Sequence, residues 1–251
     1  MADKPKRPAF DVKSATGKSG RLVQIAGTAF VVLLLVGVVF WIVTHKKAST
    51  IGAGDTVRVT SSKLVTQSGT SNPKAVVSFY EDFLCPACGN FERTFGPTVS
   101  KLIDIGAIAA DYSMVSILDN PRNQNYSSRA GAAALCVADA SKDAFRVFHS
   151  ALYSKDIQPS ETGTSFPDNA RLIEIARESG VSGTVPDCIN SGKYVSRITG
   201  AAAAAGIHGT PTVKINGQEY EWSTPDALVS KIKEIVGEVP GIDTAVAPAA
   251  A

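Results

Sequence analysis

The chain has few histidines, few cysteines and no excess of charge, and each shortage excludes a class of function. Of its 251 residues, three are His and four are Cys. Residues 1–21 hold six of the 25 Lys and Arg and two of the 23 acids, which leaves 19 basic against 21 acidic residues. Because this remainder lacks a basic surface, we expect no nucleic-acid partner. No Ser–His–acid arrangement typical of hydrolases stands out.

One long stretch, Leu22 to Val43, carries no charge at all. At ~1.5 Å per residue, a helix of this length crosses the ~30 Å hydrocarbon core of a bilayer. The alternative is a cleaved signal peptide. The stretch is longer than the ~7–15 apolar residues of such peptides, and no A-x-A-like cleavage site follows it closely. We therefore predict one N-terminal transmembrane helix.

The basic residues around this stretch predict its orientation. Six Lys and Arg precede it, whereas Lys46 and Lys47 follow it directly. The positive-inside rule then leaves the N-terminus in the cytoplasm and exports everything after residue 45. We expect a single-pass protein of the cell membrane whose main domain is extracytoplasmic, where disulfides persist.

Local patterns beyond the anchor predict an α/β fold whose strands are separated by a block of helices. Strand-like segments occur at Lys63–Gln67, at residues 75–80 and 108–114, and at Thr212–Ile215 before an Asn216-Gly217 hairpin signal. Helical patterns fill most of residues 125–206, and the last helix of this block is expected at Lys193–Ala205. The predicted units are a cytoplasmic tail (1–21), the anchor (22–43), a linker (44–60), an α/β domain in two parts (61–122 and 207–238), an inserted helical domain (123–206) and a flexible tail (239–251).

The segment Cys85-Pro86-Ala87-Cys88 follows a strand and opens a helical pattern. If Cys85 is the N-cap, Pro86 occupies the first turn, where its missing N–H costs nothing. A thiolate at Cys85 would then accept the free N–H of Cys88 at the positive end of the helix dipole. Both effects lower the thiol pKa, and the thiolate is the reactive form. Cys88 lies three residues on, within reach of a disulfide.

Two other interpretations of this pair stay open: an inert disulfide or half of a zinc site. A zinc site would need a second close pair, and the other two cysteines, Cys136 and Cys188, are far apart in the sequence. We expect no metal and no cofactor. The position of the pair after a strand favours redox chemistry.

A second motif is Gly209-Thr210-Pro211-Thr212, where a proline opens a strand and invites a cis peptide bond. The segments FYEDFLCPACGNFE (79–92) and HGTPTVKINGQEY (208–220) resemble thioredoxin-fold proteins of the DsbA type, and the membrane-anchored actinobacterial members look most similar. The resemblance covers about residues 63–237.

This resemblance implies a role for several residues. Pro211 would be cis and pack against a Cys85–Cys88 disulfide, and Thr210 would offer backbone hydrogen bonds to a bound substrate strand. The helical block would be an insertion that caps the active site. Cys136 and Cys188 would form a structural disulfide, which loop closure makes worth ~4 kcal/mol. The alternative is two unconnected buried cysteines.

Other positions depart from the family pattern or bear on it more weakly. Strong oxidants of the family carry His where this chain has Ala87, so the oxidising strength is open. The family's buried acid has no match in this chain: Ser78 stands roughly at its position, whereas Glu81 and Asp82 lie nearer the motif. Asp82 is a candidate for a place near the site. His208, three residues before Pro211, is a candidate for substrate contact. His149 is interpreted as a half-buried helix residue.

Three functions compete. The first is a disulfide oxidase that donates the Cys85–Cys88 disulfide to unfolded or reduced exported proteins and is reoxidised by a membrane partner. The resemblance implies a vitamin K epoxide reductase homologue as that partner. The second is a reductase or isomerase, which could serve cytochrome maturation. The third is a tethered peptide-binding module or chaperone whose cysteines only stabilise the fold.

Overall fold

A computed structural model describes residues 56–246 of the chain. The predicted anchor and cytoplasmic tail therefore lie outside the described residues. Between residues 56 and 246, no helix is both long and apolar enough to cross a bilayer.

A five-stranded mixed sheet carries the fold, in the order β1-β3-β2-β4-β5. Its strands are β1 (Thr56–Val59), β2 (Val76–Glu81), β3 (Ala109–Met114), β4 (Thr212–Ile215) and β5 (Gln218–Glu219). The central strand β2 runs parallel to β3 and antiparallel to β4. The parallel pair needs a crossover, and the helix between the two strands provides it.

Eight α-helices are described. They are α1 (Pro86–Asp104), α2 (Tyr126–Ala140), α3 (Lys142–Leu152), α4 (Asn169–Glu178), α5 (Val185–Asn190), α6 (Val195–Ile198), α7 (Ala201–Ala204) and α8 (Pro225–Val236). Helix α1 buries Phe91, Phe95, Val99 and Leu102, the apolar face that its periodicity predicts. Helices α2 to α7 lie between β3 and β4 in the chain, so an insertion splits the α/β domain as predicted.

The insertion is built around α2, which is buried along most of its length. Small residues, among them Ala130, Ala133 and Ala134, are fully buried on this helix and let its neighbours approach closely. Cys136 of α2 and Cys188 of α5 are joined by a disulfide. The predicted pairing is therefore present, and the alternative of two unconnected cysteines is wrong.

Three local predictions are wrong. The strand expected at Lys63–Gln67 is absent: Thr66 forms only an isolated bridge with Pro73, and the first strand is β1, inside the segment expected to be linker. Residues 239–246 are not a loose tail, since Val239, Ile242 and Ala245 are buried in the core. The helix expected at Lys193–Ala205 is two short helices, because Gly200 adopts a positive φ of 83° between them.

Candidate active site

The two cysteines of the CPAC segment occupy the start of α1. Cys85 is the N-cap, Pro86 is the first helical residue, and Cys88 lies in the first turn, as predicted. Both are free thiols, and they differ in access: Cys85 is 8% exposed and Cys88 is fully buried. An approaching sulfur could therefore reach Cys85 but not Cys88.

Both the main chain and the side chain of Cys85 are held by hydrogen bonds. Its N–H donates to the carbonyl oxygen of Asp82 at 2.9 Å. Its thiol donates to the carbonyl oxygen of Thr210 at 3.4 Å, across the site. The Thr210–Pro211 peptide bond is cis, as predicted. Two motifs far apart in the sequence therefore meet at one sulfur.

The environment stabilises the thiolate of Cys85 and disfavours that of Cys88. The pKa of Cys85 is lowered to about 5, first by a hydrogen bond from the Cys88 thiol and further by the Thr210 side chain and the N–H groups of Cys88 and Ala87. Burial opposes this shift without reversing it. Burial raises the pKa of Cys88 well above its ordinary value. At neutral pH one thiolate therefore exists, on the accessible sulfur.

The predicted hydrogen bond from the N–H of Cys88 to the sulfur of Cys85 is absent in this reduced form. The side chain of Cys85 accepts no cap hydrogen bond with full geometry. It is a thiol that donates instead to Thr210. The first-turn N–H groups of Ala87 and Cys88 still lower its pKa, so the helix start acts on the sulfur electrostatically. Pro86 and Ala87 are themselves exposed, and Ala87 contributes through its main chain.

Asp82 lies next to the cysteine pair, but its side chain supports the loop rather than facing the sulfurs. Oδ1 accepts from the N–H of Leu84 at 2.9 Å and Oδ2 from that of Leu118 at 3.0 Å. The carboxyl is fully buried, and burial raises its pKa to about 6. Asp82 therefore ties the segment before Cys85 to the segment after β3.

Glu81, Glu92 and His149 form a cluster that was not predicted from the sequence. Nε2 of His149 lies 3.0 Å from Oε2 of Glu81, and Nδ1 lies 3.7 Å from Oε2 of Glu92. All three side chains are buried, so the interpretation of His149 as half-buried is wrong. Burial raises the pKa of Glu81 to about 8 and that of Glu92 well above its ordinary value, and it lowers the pKa of His149.

This cluster also corrects the position of the buried acid. Ser78 is half-buried within β2, and the buried acid of that strand is Glu81, its last residue. The negative charge of Glu81 further raises the pKa of Cys88. One signal could have revealed the cluster: Glu81 directly follows a largely apolar strand, and Glu92 falls at the helical spacing of the buried Cys88 and Phe95.

In the part of the chain that the structure describes, the same three residues are the group that could hold a metal ion. The two imidazole nitrogens of His149 face different carboxylates, whereas a bound metal would use one nitrogen. The arrangement therefore suits shared protons better than chelation. A zinc site at the CPAC segment lacks its second cysteine pair, since Cys136 and Cys188 are joined.

His208 is exposed on the surface, three residues before Pro211. Nothing in its position contradicts a contact with substrate, and it stays a candidate. Thr210 and Pro211 are half-buried at the start of β4, with Thr212 paired to Tyr80 of the central strand. The site is therefore a largely buried thiol pair, of which only Cys85 reaches the surface, flanked by a partly open main-chain edge.

Comparison with known proteins decides the family. A family model described as thioredoxin matches residues 63–234. The chain belongs to the thioredoxin family. Within this family it is a thiol–disulfide oxidoreductase of the DsbA type, because solved proteins of that type match it over nearly all of their length.

Solved thioredoxin-fold structures from Mycobacterium tuberculosis are similar to this chain over most of its length. The reduced form of DsbA is 75% identical to this chain. The match covers 78% of this chain and 100% of the DsbA chain, with a TM-score of 0.76. The reduced disulfide oxidoreductase DsbG is 74% identical to this chain. The match covers 81% of this chain and 98% of the DsbG chain, with a TM-score of 0.78. The predicted resemblance is confirmed, and the fold, cysteine motif and cis-proline agree with it.

A curated relative of this thioredoxin-fold chain is the serine/threonine-protein kinase PknE of Mycobacterium tuberculosis. The kinase is 30% identical over an alignment 168 residues long, and the match covers 61% of this chain and 30% of the kinase. The chain thus spans less than a third of the curated relatives that it matches.

Proposed function

We propose that this oxidoreductase is a disulfide oxidase that donates the Cys85–Cys88 disulfide to exported folding proteins. The observation that carries the proposal is the difference between the two sulfurs. Cys85 is accessible and has a pKa lowered to about 5, whereas Cys88 is buried and its pKa is raised. A pair with a stabilised thiolate gives its disulfide away readily, because the reduced form is the favoured one.

The reaction begins when a substrate thiolate attacks the sulfur of Cys85. The Cys85–Cys88 bond breaks, a mixed disulfide forms on Cys85, and Cys88 leaves and takes up a proton. A second substrate thiolate then attacks the substrate sulfur of the mixed disulfide. The substrate disulfide forms and Cys85 leaves as its stable thiolate, so that the substrate loses two electrons and the cysteine pair gains them.

The main-chain edge at Thr210 and Pro211 is the proposed substrate platform. The carbonyl oxygen of Thr210 already lies 3.4 Å from the sulfur of Cys85, so an extended segment beside it would present its own sulfur to the reacting atom. Polar backbone that is partly open in this way can bind a peptide as an added strand. His208 is proposed to line the rim of this platform.

The proposed location is the outer side of the cell membrane, with residues 22–43 as the anchor. Support comes from the uncharged stretch, its basic N-terminal flank and the Cys136–Cys188 disulfide, a bond typical of oxidising compartments. Protease added to cells whose outer layers have been opened should degrade the chain beyond residue 46. Protection until detergent dissolves the membrane would contradict this orientation.

Each turnover leaves the cysteine pair reduced, so the proposed oxidase needs an electron acceptor. We propose a membrane partner, a vitamin K epoxide reductase homologue that passes the electrons to quinone. Trapping of a mixed disulfide between the Cys88→Ala variant and that partner would support this. A variant that traps only exported proteins, with the partner present, would count against it.

The oxidase proposal is tested by two rates measured with the same protein. The oxidised form should restore activity to a reduced, unfolded test protein faster than the reduced form, with thiol present, cleaves the disulfides of insulin. The opposite order would favour a reductase or isomerase, to which Thr210 before the cis-proline is also suited. Peptide binding retained by a Cys85→Ser, Cys88→Ser variant, with neither redox rate detectable in wild type, would favour the binding module.

A further inference from the structure

Gln158, in the turn after α3, reaches from the helical insertion to the main chain of the active site. Its own N–H donates to the carbonyl oxygen of Ser154 at 2.9 Å, which places the residue at the end of a turn. Its side-chain Nε2 donates to the carbonyl oxygen of Cys85 at 3.0 Å and to that of Phe83 at 3.3 Å. One amide group therefore binds the carbonyl oxygens of the two residues that flank Leu84.

The other end of this amide is held by Arg93 of α1. Nη1 of Arg93 donates to Oε1 of Gln158 at 3.1 Å and to the carbonyl oxygen of Tyr153 at 2.6 Å. Nη2 donates to Oδ1 of Asn90 at 2.6 Å. Because a guanidinium only donates, the amide oxygen must face Arg93, and the NH2 group must face the two carbonyls.

The fit of Gln158 against the helix start is close. A Cβ atom at Gly89 would lie 1.9 Å from Oε1 of Gln158, so only glycine fits at that position while the amide stays in place. The N–H of Gly89 meanwhile donates to the carbonyl oxygen of Cys85 at 3.1 Å. The Cys85 carbonyl thus has two donors, one from its own helix and one from the insertion.

We infer that Gln158 is a positioning residue that fixes the main chain of Cys85 and so holds its sulfur between the helix start and Thr210. The NH2 group also places the positive end of an amide dipole beside the residue that carries the thiolate. Both effects favour the reduced, ionised form of Cys85 over the disulfide. The inference rests on the proposed redox role of Cys85, and it assigns part of the tuning to the insertion.

Two substitutions separate positioning from packing. Gln158→Leu keeps the size and removes the donor, and it should raise the pH midpoint of Cys85 alkylation by ~0.5 unit, a threefold change in thiolate stability. Gln158→Glu keeps the shape and the contact with Arg93 but directs a carboxylate oxygen at two carbonyls near the thiolate. Its midpoint should rise by ~1 unit, a tenfold change. The equilibrium constant for oxidising glutathione should fall in the same order.

A matched control is Gln67→Leu. The amide of Gln67 also donates to a carbonyl, that of Pro73 at 3.3 Å. This loop is attached to the other end of α1, since the N–H of Val65 donates to the carbonyl oxygen of Gly106. Gln67→Leu should therefore leave both the midpoint and the glutathione equilibrium unchanged.

A purely structural role would lower the unfolding free energy of the oxidised and reduced forms equally, and the glutathione equilibrium would then stay constant. Unchanged midpoints and equilibrium constants in both Gln158 variants would overturn the inference. These measurements use the full-length protein and glutathione, not a folding substrate. A wild type that fails to oxidise the test protein, with Gln158 variants that still shift the midpoint, would reject the oxidase function and keep the inference.

Discussion

Nε2 of His149 lies 3.0 Å from Oε2 of Glu81, so the helical insertion hydrogen-bonds the end of the central strand inside the core. The same imidazole faces Glu92 of α1 through Nδ1 at 3.7 Å. Phe83, Tyr112 and Tyr153 pack against the imidazole ring edge to face. The three polar groups therefore contact mainly one another, whereas Oε1 of Glu81 and Oε1 of Glu92 have no hydrogen-bond partner among the described residues.

Replacing His149 with Gln should destabilise the protein by about 2–4 kcal/mol. The substitution weakens the contact of Glu81 and leaves space among the aromatic rings, and unsatisfied buried groups and cavities each carry a cost of that order. Urea unfolding followed by fluorescence measures the change. The exposed His208→Gln variant is the control and should lie within about 0.5 kcal/mol of wild type. Equal midpoints for the two variants would contradict the cluster.

The stability of the oxidised protein should fall as the pH rises from 6.5 to 8. The pKa of Glu81 is raised to about 8 in the folded state, so there the folded protein keeps a proton that the unfolded chain has lost. Each such proton lowers stability by about 1.4 kcal/mol per pH unit. The oxidised form is used because Cys85, whose lowered pKa would make stability rise with pH, does not titrate in a disulfide. The range starts at pH 6.5 because the lowered pKa of His149 makes stability rise with pH mainly below that value.

Glu81→Gln is the control for this pH dependence. In this variant the unfolding free energy should fall less steeply with pH, by the contribution of about one proton. The raised pKa of Glu92 should account for the rest of the fall. Unfolding free energies at several pH values, from urea titrations of both proteins in their oxidised forms, give the comparison. Identical slopes would show that Glu81 does not hold a proton in the folded state.

Cys85 should react with iodoacetamide with a midpoint near pH 5, well below the ~8.5 of a free thiol. Cys88 should stay unmodified in the folded protein, because its sulfur is fully buried. Mass spectrometry of the two peptides, after reaction across a pH series, follows each residue separately. A midpoint near 8.5 for Cys85 would contradict the stabilised thiolate, and modification of Cys88 at the same rate would contradict its shielding.

The reduction potential of the Cys85–Cys88 pair should lie between the ~−270 mV of thioredoxin and the ~−120 mV of the strong oxidant DsbA. The helix start and Thr210 stabilise the thiolate, but position 87 is Ala rather than the His of stronger oxidants. Ala87→His should therefore raise the potential, with ~30 mV for each 1.4 kcal/mol gained by the reduced form. Equilibration with glutathione measures both proteins. A wild-type potential at or below that of thioredoxin would indicate a reductase.

Joint replacement of Cys136 and Cys188 with Ala should lower the unfolding free energy by ~4 kcal/mol and leave the redox reaction in place. The disulfide closes a span of 52 residues within the insertion, and both sulfurs are separate from the CPAC pair. Urea unfolding and oxidative refolding of a test protein measure the two effects. Loss of the redox reaction in a variant that is still folded would give this disulfide a catalytic role.

Much of the site was predictable because it follows from short segments. Cys85 at the N-cap, Pro86 in the first turn and Cys88 three residues on are consequences of helix geometry, and the Asn216-Gly217 hairpin follows from the positive φ that these residues tolerate. The predicted anchor also depends on composition alone. Errors arose where a pattern was short, as at Lys63–Gln67, where Thr66 forms only an isolated bridge and no strand.

The sequence by itself determined which two sulfurs could react and which turn would carry the cis-proline. Only the tertiary structure decided what surrounds them. Glu81 meets His149 across 68 positions, and Gln158 meets Cys85 across 73. Local propensity carries no information about such pairs, since burial and hydrogen bonding between them depend on how the insertion packs onto the sheet. The same packing shields Cys88 and leaves Cys85 accessible, which is the difference on which the chemistry depends.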